Sequence, residues 1–92
     1  MARWKKPTKE EVLENRRMLA ERAQTGDLRL PEAVVEIRRG LGLTQNEFAK
    51  ILSLTRRQVA EIEAGSANPT LETLVKIGRL FGFAVGFVPK AQ

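Results

Sequence analysis

Thr44-Gln45-Asn46-Glu47 and Thr55-Arg56-Arg57-Gln58 give the same local signal twice at close range. In each, a threonine stands three residues before a Glu or Gln. That is the pattern in which the hydroxyl takes a backbone amide of the first helical turn and the longer side chain reaches back to the cap's own amide. Phe48, Ala49, Ile51 and Leu52 follow the first box, and Val59 and Ile62 the second, at the spacing of helices with one apolar face. Ser53 and Leu54 alone separate the first helix from the second cap, and Gly65 supplies the stop. An ordinary helical hairpin is one reading. A connection this short instead forces a sharp crossing, and it is the strongest constraint on what the chain can become.

The remaining segments surround that pair with more helix. Thr8 with Glu11 forms another capping box just after Pro7, and Val12, Leu13, Leu19, Ala20 and Ala23 give a weak apolar stripe over about residues 8–24. Thr25-Gly26-Asp27 ends it. Pro31 suits the first turn of a second helix with Val34, Val35, Ile37 and Leu41 on its buried face, and Gly40 and Gly42 mark its end. After the loop Ser66-Ala67-Asn68-Pro69, Thr70 caps a last helix whose face is Leu71, Leu74, Val75, Ile77 and Leu80, closed by Gly82.

Beyond it the period changes from helical to two: Phe81, Phe83, Val85 and Phe87 alternate as a strand would. A lone strand cannot satisfy its own backbone. Either the same strand of a second subunit pairs with it about a two-fold axis, or the segment packs as a tail on its own core. Three of the five aromatic residues lie here, which favours Phe81, Phe83, Val85 and Phe87 as a dimer interface. The expected architecture is all-α, about five helices with a short C-terminal β-strand that pairs across a dimer.

Ninety-two residues make one small domain, and no apolar run approaches the length of a membrane span. The basic N-terminus lacks an apolar stretch behind it and does not read as a secretory signal. The absence of cysteine excludes disulfides and suits a reducing, cytoplasmic setting. A net charge of +5 suggests a polyanionic partner. Its distribution is uneven: eight Lys/Arg against five Asp/Glu in residues 1–30, five against five in 31–64, and three against one in 65–92. Any basic surface in the neutral middle therefore comes from placement.

Catalysis is discounted early. With no His, Cys or Tyr and only two serines, Ser53 and Ser66, the chain lacks the usual general bases, thiol nucleophiles and imidazole ligands. Glu10, Glu11 and Glu14 lie in a charge-mixed helix whose solvated face explains them. Glu61 and Glu63 are two apart and do not share a helix face. The expectation is a protein that is not an enzyme and needs no metal or cofactor.

With these elements in place, the runs "LTQNEFAKIL", "LTRRQVAEIEAG" and "NPTLETLVKIGRLFG" carry a resemblance. Gln45, Phe48-Ala49, Val59, Ile62-Glu63, Gly65, Pro69, Leu71 and Leu74, at these spacings, resemble the lambda-repressor/Cro (XRE) family of helix-turn-helix proteins over roughly residues 31–82. The resemblance implies a lambda-repressor-like bundle in which 31–82 is the DNA-binding domain, 1–30 a basic arm with an extra helix, and 83–92 a dimerisation strand and tail. It further implies that Thr55, Arg56, Arg57 and Glu61 read bases. Gln45, Asn46 and Gln58 would contact the DNA backbone, and Ala49 would let the two motif helices cross closely. Glu63 resembles the family's structural acidic residue. One departure is Ser53, where the family's turn usually has glycine; if that position needs a positive φ, serine costs about 0.5–1 kcal/mol.

Arg56 and Arg57 occupy the positive end of a helix dipole, which costs under about 1 kcal/mol, whereas one two-pronged Arg–guanine contact supplies roughly 1–3 kcal/mol of discrimination. The two arginines would divide between base edge and phosphate, or one would be a solvated charge. Arg3, Lys5, Lys6 and Lys9 form a candidate DNA arm, along the backbone or in the minor groove, or else a soluble terminus. Trp4 either anchors the first helix or is exposed. The expected working unit is a homodimer on an inverted repeat of double-stranded DNA. "FGFAVGFVPK" resembles the dimer strand of HipB-type antitoxins. That resemblance implies a transcriptional repressor that is also the antitoxin of a toxin–antitoxin pair, with a toxin protein as further partner. The alternatives are a stand-alone regulator of the family, or an interaction module that has lost DNA binding.

Overall fold

The computed structural model describes residues 5–90. Five helices follow in order: α1 (Lys9–Gln24), α2 (Glu32–Gly40), α3 (Gln45–Leu52), α4 (Arg56–Glu63) and α5 (Leu71–Arg79). Full capping boxes start α1, α3 and α4 at Thr8, Thr44 and Thr55, and the Thr70 hydroxyl accepts from the Thr73 amide at the start of α5. Each box satisfies two amides that the first turn would otherwise leave without partners, so four-residue signals fix three helix starts.

The turn between α3 and α4 is tight because its backbone reverses hand. Ser53 has φ 58° and ψ 41°, the left-handed region, and the Leu54 amide donates to the Ala49 carbonyl at 2.8 Å to close α3. Glycine would adopt this conformation without the Cβ cost that serine bears. Ala49, 3% exposed, lies in the core beneath the crossing.

One core serves α2 to α5 and takes Leu19 from α1. Val34 and Ile37 meet Phe48, Leu52, Val59, Ile62 and Ile77, with Phe48 wholly buried. Each such side chain contributes roughly 1.5–3 kcal/mol on leaving water. Three expected face residues lie outside this core: Leu13, Ile51 and Leu71 are 60%, 48% and 67% exposed. Leu13 and Leu71 stand near the starts of α1 and α5, and Ile51 near the end of α3.

The C-terminal stretch divides at its first aromatic residue. Phe81 belongs to the turn that closes α5, its amide donating to the Gly78 carbonyl at 3.1 Å, and it is buried in its own chain's core. Its ring lies so close over Gly40 that a Cβ there would stand 2.9 Å from Cζ. The Phe83 ring meets it edge-on at 5.9 Å, and the Arg16 guanidinium lies 5.6 Å from its centroid. Val85 and Phe87 are exposed, Phe87 completely. Among the described residues no strand forms. Residues 83–90 are tied back at two points, Phe83 N–H to the Gly78 carbonyl at 2.8 Å and Arg29 Nη2 to the Pro89 carbonyl at 2.9 Å.

The N-terminal region is bound to this core. Asn15 Nδ2 donates to the Gly40 carbonyl, and Arg22 pairs with Glu36, joining α1 to α2. Pro7 occupies the space where a Cβ on Gly42 would be, while Gly42 has φ +74°, so this turn is closed to any residue with a side chain.

Candidate nucleic-acid interface

α4 shows its apolar positions, Val59 and Ile62, to the core and its first turn to solvent. The cap commits part of that turn: the Thr55 hydroxyl accepts from the Gln58 amide at 3.0 Å, and Gln58 Oε1 accepts from the Thr55 amide at 2.8 Å. The Gln58 amide nitrogen keeps its donors. Arg57 stands out from the helix with 87% of its side chain exposed and its Nε 3.4 Å from Glu61 Oε2, one turn on. Arg56 is exposed and has no acidic partner among the described residues.

Beside Arg56 an open cleft of about 680 Å³ runs to the start of α3. Arg38, Arg39, Leu43, Thr44, Gln45, Asn46 and Arg56 line it. Cations, side-chain amides and a helix N-terminus thus share one concave surface, which suits a phosphodiester oxygen. Arg39 is the residue that sequence reasoning missed. Adjacent arginines on a helix lie about 100° apart around the axis, so once one turns inward the other faces out.

Arg38 is the inward one. Its Nε and Nη2 reach Glu63 Oε2 and Oε1 at 2.6 and 3.1 Å, and its Nη1 donates to the Leu43 carbonyl at 2.9 Å. Gln45 Nε2 donates to the same carboxylate at 3.0 Å. Glu63 therefore joins α2 and α3 to its own helix α4, Arg38 ties in the turn after α2, and the Gln45 side chain is held at the edge of the cleft.

On the far side of α3's start, Lys6 Nζ lies 2.9 Å from both the Gly42 carbonyl and Glu47 Oε1. Glu47 also accepts from the Thr44 amide; that bond first, and the Lys6 ammonium second, hold its carboxyl below the ordinary glutamate range. Of the arm residues expected from sequence, Lys6 is thus bound to its own chain, Lys5 and Lys9 are exposed, and Arg3 lies outside the described residues, as does Trp4. Among the described residues no three potential ligands gather to hold a metal ion, and no helix is long and apolar enough to cross a membrane.

A family model described as helix-turn-helix matches residues 34–87, taking in most of α2 and all of α3 to α5. The chain is 32% identical over 59 residues to a SPbeta prophage-derived uncharacterized HTH-type transcriptional regulator, YonR, of Bacillus subtilis, covering 64% of this chain and 55% of that one. It is 32% identical over 60 residues to an uncharacterized HTH-type transcriptional regulator of Haemophilus influenzae, covering 65% and 61%. A third such regulator, from Archaeoglobus fulgidus, is 39% identical over 46 residues, covering 50% and 66%. The chain therefore spans between half and two thirds of the length of these relatives. No solved structure matches it significantly.

Proposed function

This chain belongs to the XRE (lambda-repressor/Cro) family of helix-turn-helix proteins, and from that premise we propose that it is a sequence-specific DNA-binding regulator that represses transcription. α4 enters the major groove, and Thr55, Arg56, Arg57 and Glu61 form its DNA-facing side. Gln45, Asn46 and Gln58 meet the backbone, and Lys5 and Lys9 add charge beside it. The observation that carries this reading is the exposed, cationic first turn of α4 set against the Arg39–Gln45–Asn46 cleft. Two arginines at the positive end of a helix make local sense only against an anion or an acceptor-rich base edge.

A single eight-residue reading helix buries too little for specific affinity, so the working unit is a homodimer on an inverted repeat, with half-sites roughly 34 Å apart. Phe83, Val85 and Phe87 supply the shared surface. A fully exposed phenylalanine on a segment tied back at only its two ends supports this, because pairing there would satisfy its backbone and bury its aromatic side chain together. We further propose that the protein is the antitoxin of a toxin–antitoxin pair, with α1 facing the toxin; exposed Leu13 and Met18 on that helix favour the reading. The second reading is a regulator that acts alone, and the relatives, named only as HTH-type transcriptional regulators, fit either.

Footprinting of the purified protein on the DNA upstream of its own gene tests the proposal. Protection of an inverted repeat there supports autoregulation. Specific binding elsewhere and none at that promoter leaves the stand-alone regulator, and a second protein that co-purifies and inhibits growth when expressed alone supports the antitoxin.

A further inference from the structure

We propose that Arg57 reads a guanine, that Glu61 is the residue that positions it for this, and that Arg56 grips a backbone phosphate; this rests on the DNA-binding reading and deepens it. The two arginines are neighbours on α4 and so leave the helix about 100° apart, which keeps them from sharing one target. Arg56 lines the cleft at the start of α3 together with Arg39, Gln45 and Asn46, donors that suit a phosphate oxygen. It has no acidic partner there among the described residues.

Arg57 does not line that cleft and meets Glu61 instead. The contact is made through Nε, at 3.4 Å from Glu61 Oε2. That leaves the outer edge of the guanidinium, Nη1 and Nη2, with two parallel donors, the pair that matches guanine O6 and N7. Local helix stability does not explain the pairing. Arginine four residues before glutamate is the less favourable order on a helix, and the arginine stands at the positive end of the dipole. A carboxylate on a DNA-facing helix is itself repelled by phosphates, and Arg57 neutralises it. As water leaves the groove the pair tightens, because charges attract more strongly at low dielectric.

The consequence is a division of labour that sequence position alone leaves undecided. Glu61 acts through Arg57 and has no base of its own. The test measures binding to the selected site and to every single-base substitution of it, for wild type, Arg57→Ala, Glu61→Gln and Arg56→Ala, with thermal unfolding of each variant. Arg57→Ala is expected to lose discrimination at one guanine by roughly 5- to 150-fold. Glu61→Gln should weaken preference at that same base pair, several-fold, with unchanged unfolding. Arg56→Ala should weaken all sequences alike and lower the salt slope by about one.

The proposal is overturned if Glu61→Gln shifts preference at a different base pair, if it changes none, or if Arg56→Ala relaxes a base position. A wild type that shows no preference at all overturns the DNA-reading function itself and this assignment with it.

Discussion

Arg38 and Glu63 meet side-on across the space between α2 and α4, with Nε and Nη2 of the guanidinium facing the two carboxylate oxygens at 2.6 and 3.1 Å. Their side chains are 12% and 7% exposed, and no buried polar side-chain atom among the described residues lacks a partner. A buried pair of this kind is not in itself strongly stabilising, since both charges give up water, but breaking it leaves one charge stranded. Arg38→Ala should therefore destabilise the fold by about 3–5 kcal/mol, while Arg38→Met combined with Glu63→Leu should recover most of that loss. Urea unfolding of the single and double variants checks this. Gln45 keeps its Glu63 anchor in Arg38→Ala and loses it only in the double variant.

Ser53→Gly should stabilise the protein by about 0.5–1 kcal/mol, because glycine reaches φ 58° without crowding its own Cβ, less some gain in freedom of the unfolded chain. Thermal unfolding measures the gain. DNA affinity should stay unchanged, since the substitution leaves the backbone path into α4 as it is.

Glu47 gives a pH dependence whose sign follows from its partners. The Thr44 amide and the Lys6 ammonium hold its carboxyl below the ordinary range, so in acid the unfolded chain takes up the proton first. Stability from this group is complete above the ordinary glutamate range and falls away as pH drops through the lower folded value. Unfolding midpoints followed from neutral pH to about 3 should fall more steeply for wild type than for Glu47→Gln. The variant should start from a lower stability, because it loses the Lys6 ion pair.

Phe87→Asp should turn a dimer into a monomer without unfolding it, since its side chain makes no contribution to the core of its own chain. Sedimentation velocity reads the mass and circular dichroism the fold. Phe81→Ala, by contrast, should cost about 3–5 kcal/mol in either state, because that ring fills the core over Gly40.

These contrasts show where sequence speaks and where it is silent. The capping boxes at Thr8, Thr44 and Thr55 are four-residue signals that use only local atoms, so the helix starts could be read directly. The left-handed turn at Ser53 was legible only through the family resemblance, which puts glycine at that position. Phe81 was not: it falls on both the alternation of residues 81–87 and the last turn of a helix, and packing against Gly40, 41 positions away in sequence, decides between them. The Lys6–Glu47 and Arg38–Glu63 pairs join positions that no local pattern relates. Arg39 was hidden by the neutral charge of residues 31–64, because only the inward turn of Arg38 reveals that its neighbour faces out.

The central claim is that the first turn of α4 reads base sequence, and selection of bound duplexes from a random library at about 150 mM salt tests it most directly. At that ionic strength the phosphate attraction common to basic proteins is suppressed. The account predicts enrichment of an inverted repeat with a guanine in each half-site and half-sites about one turn apart. A library that emerges with no enriched sequence would contradict it.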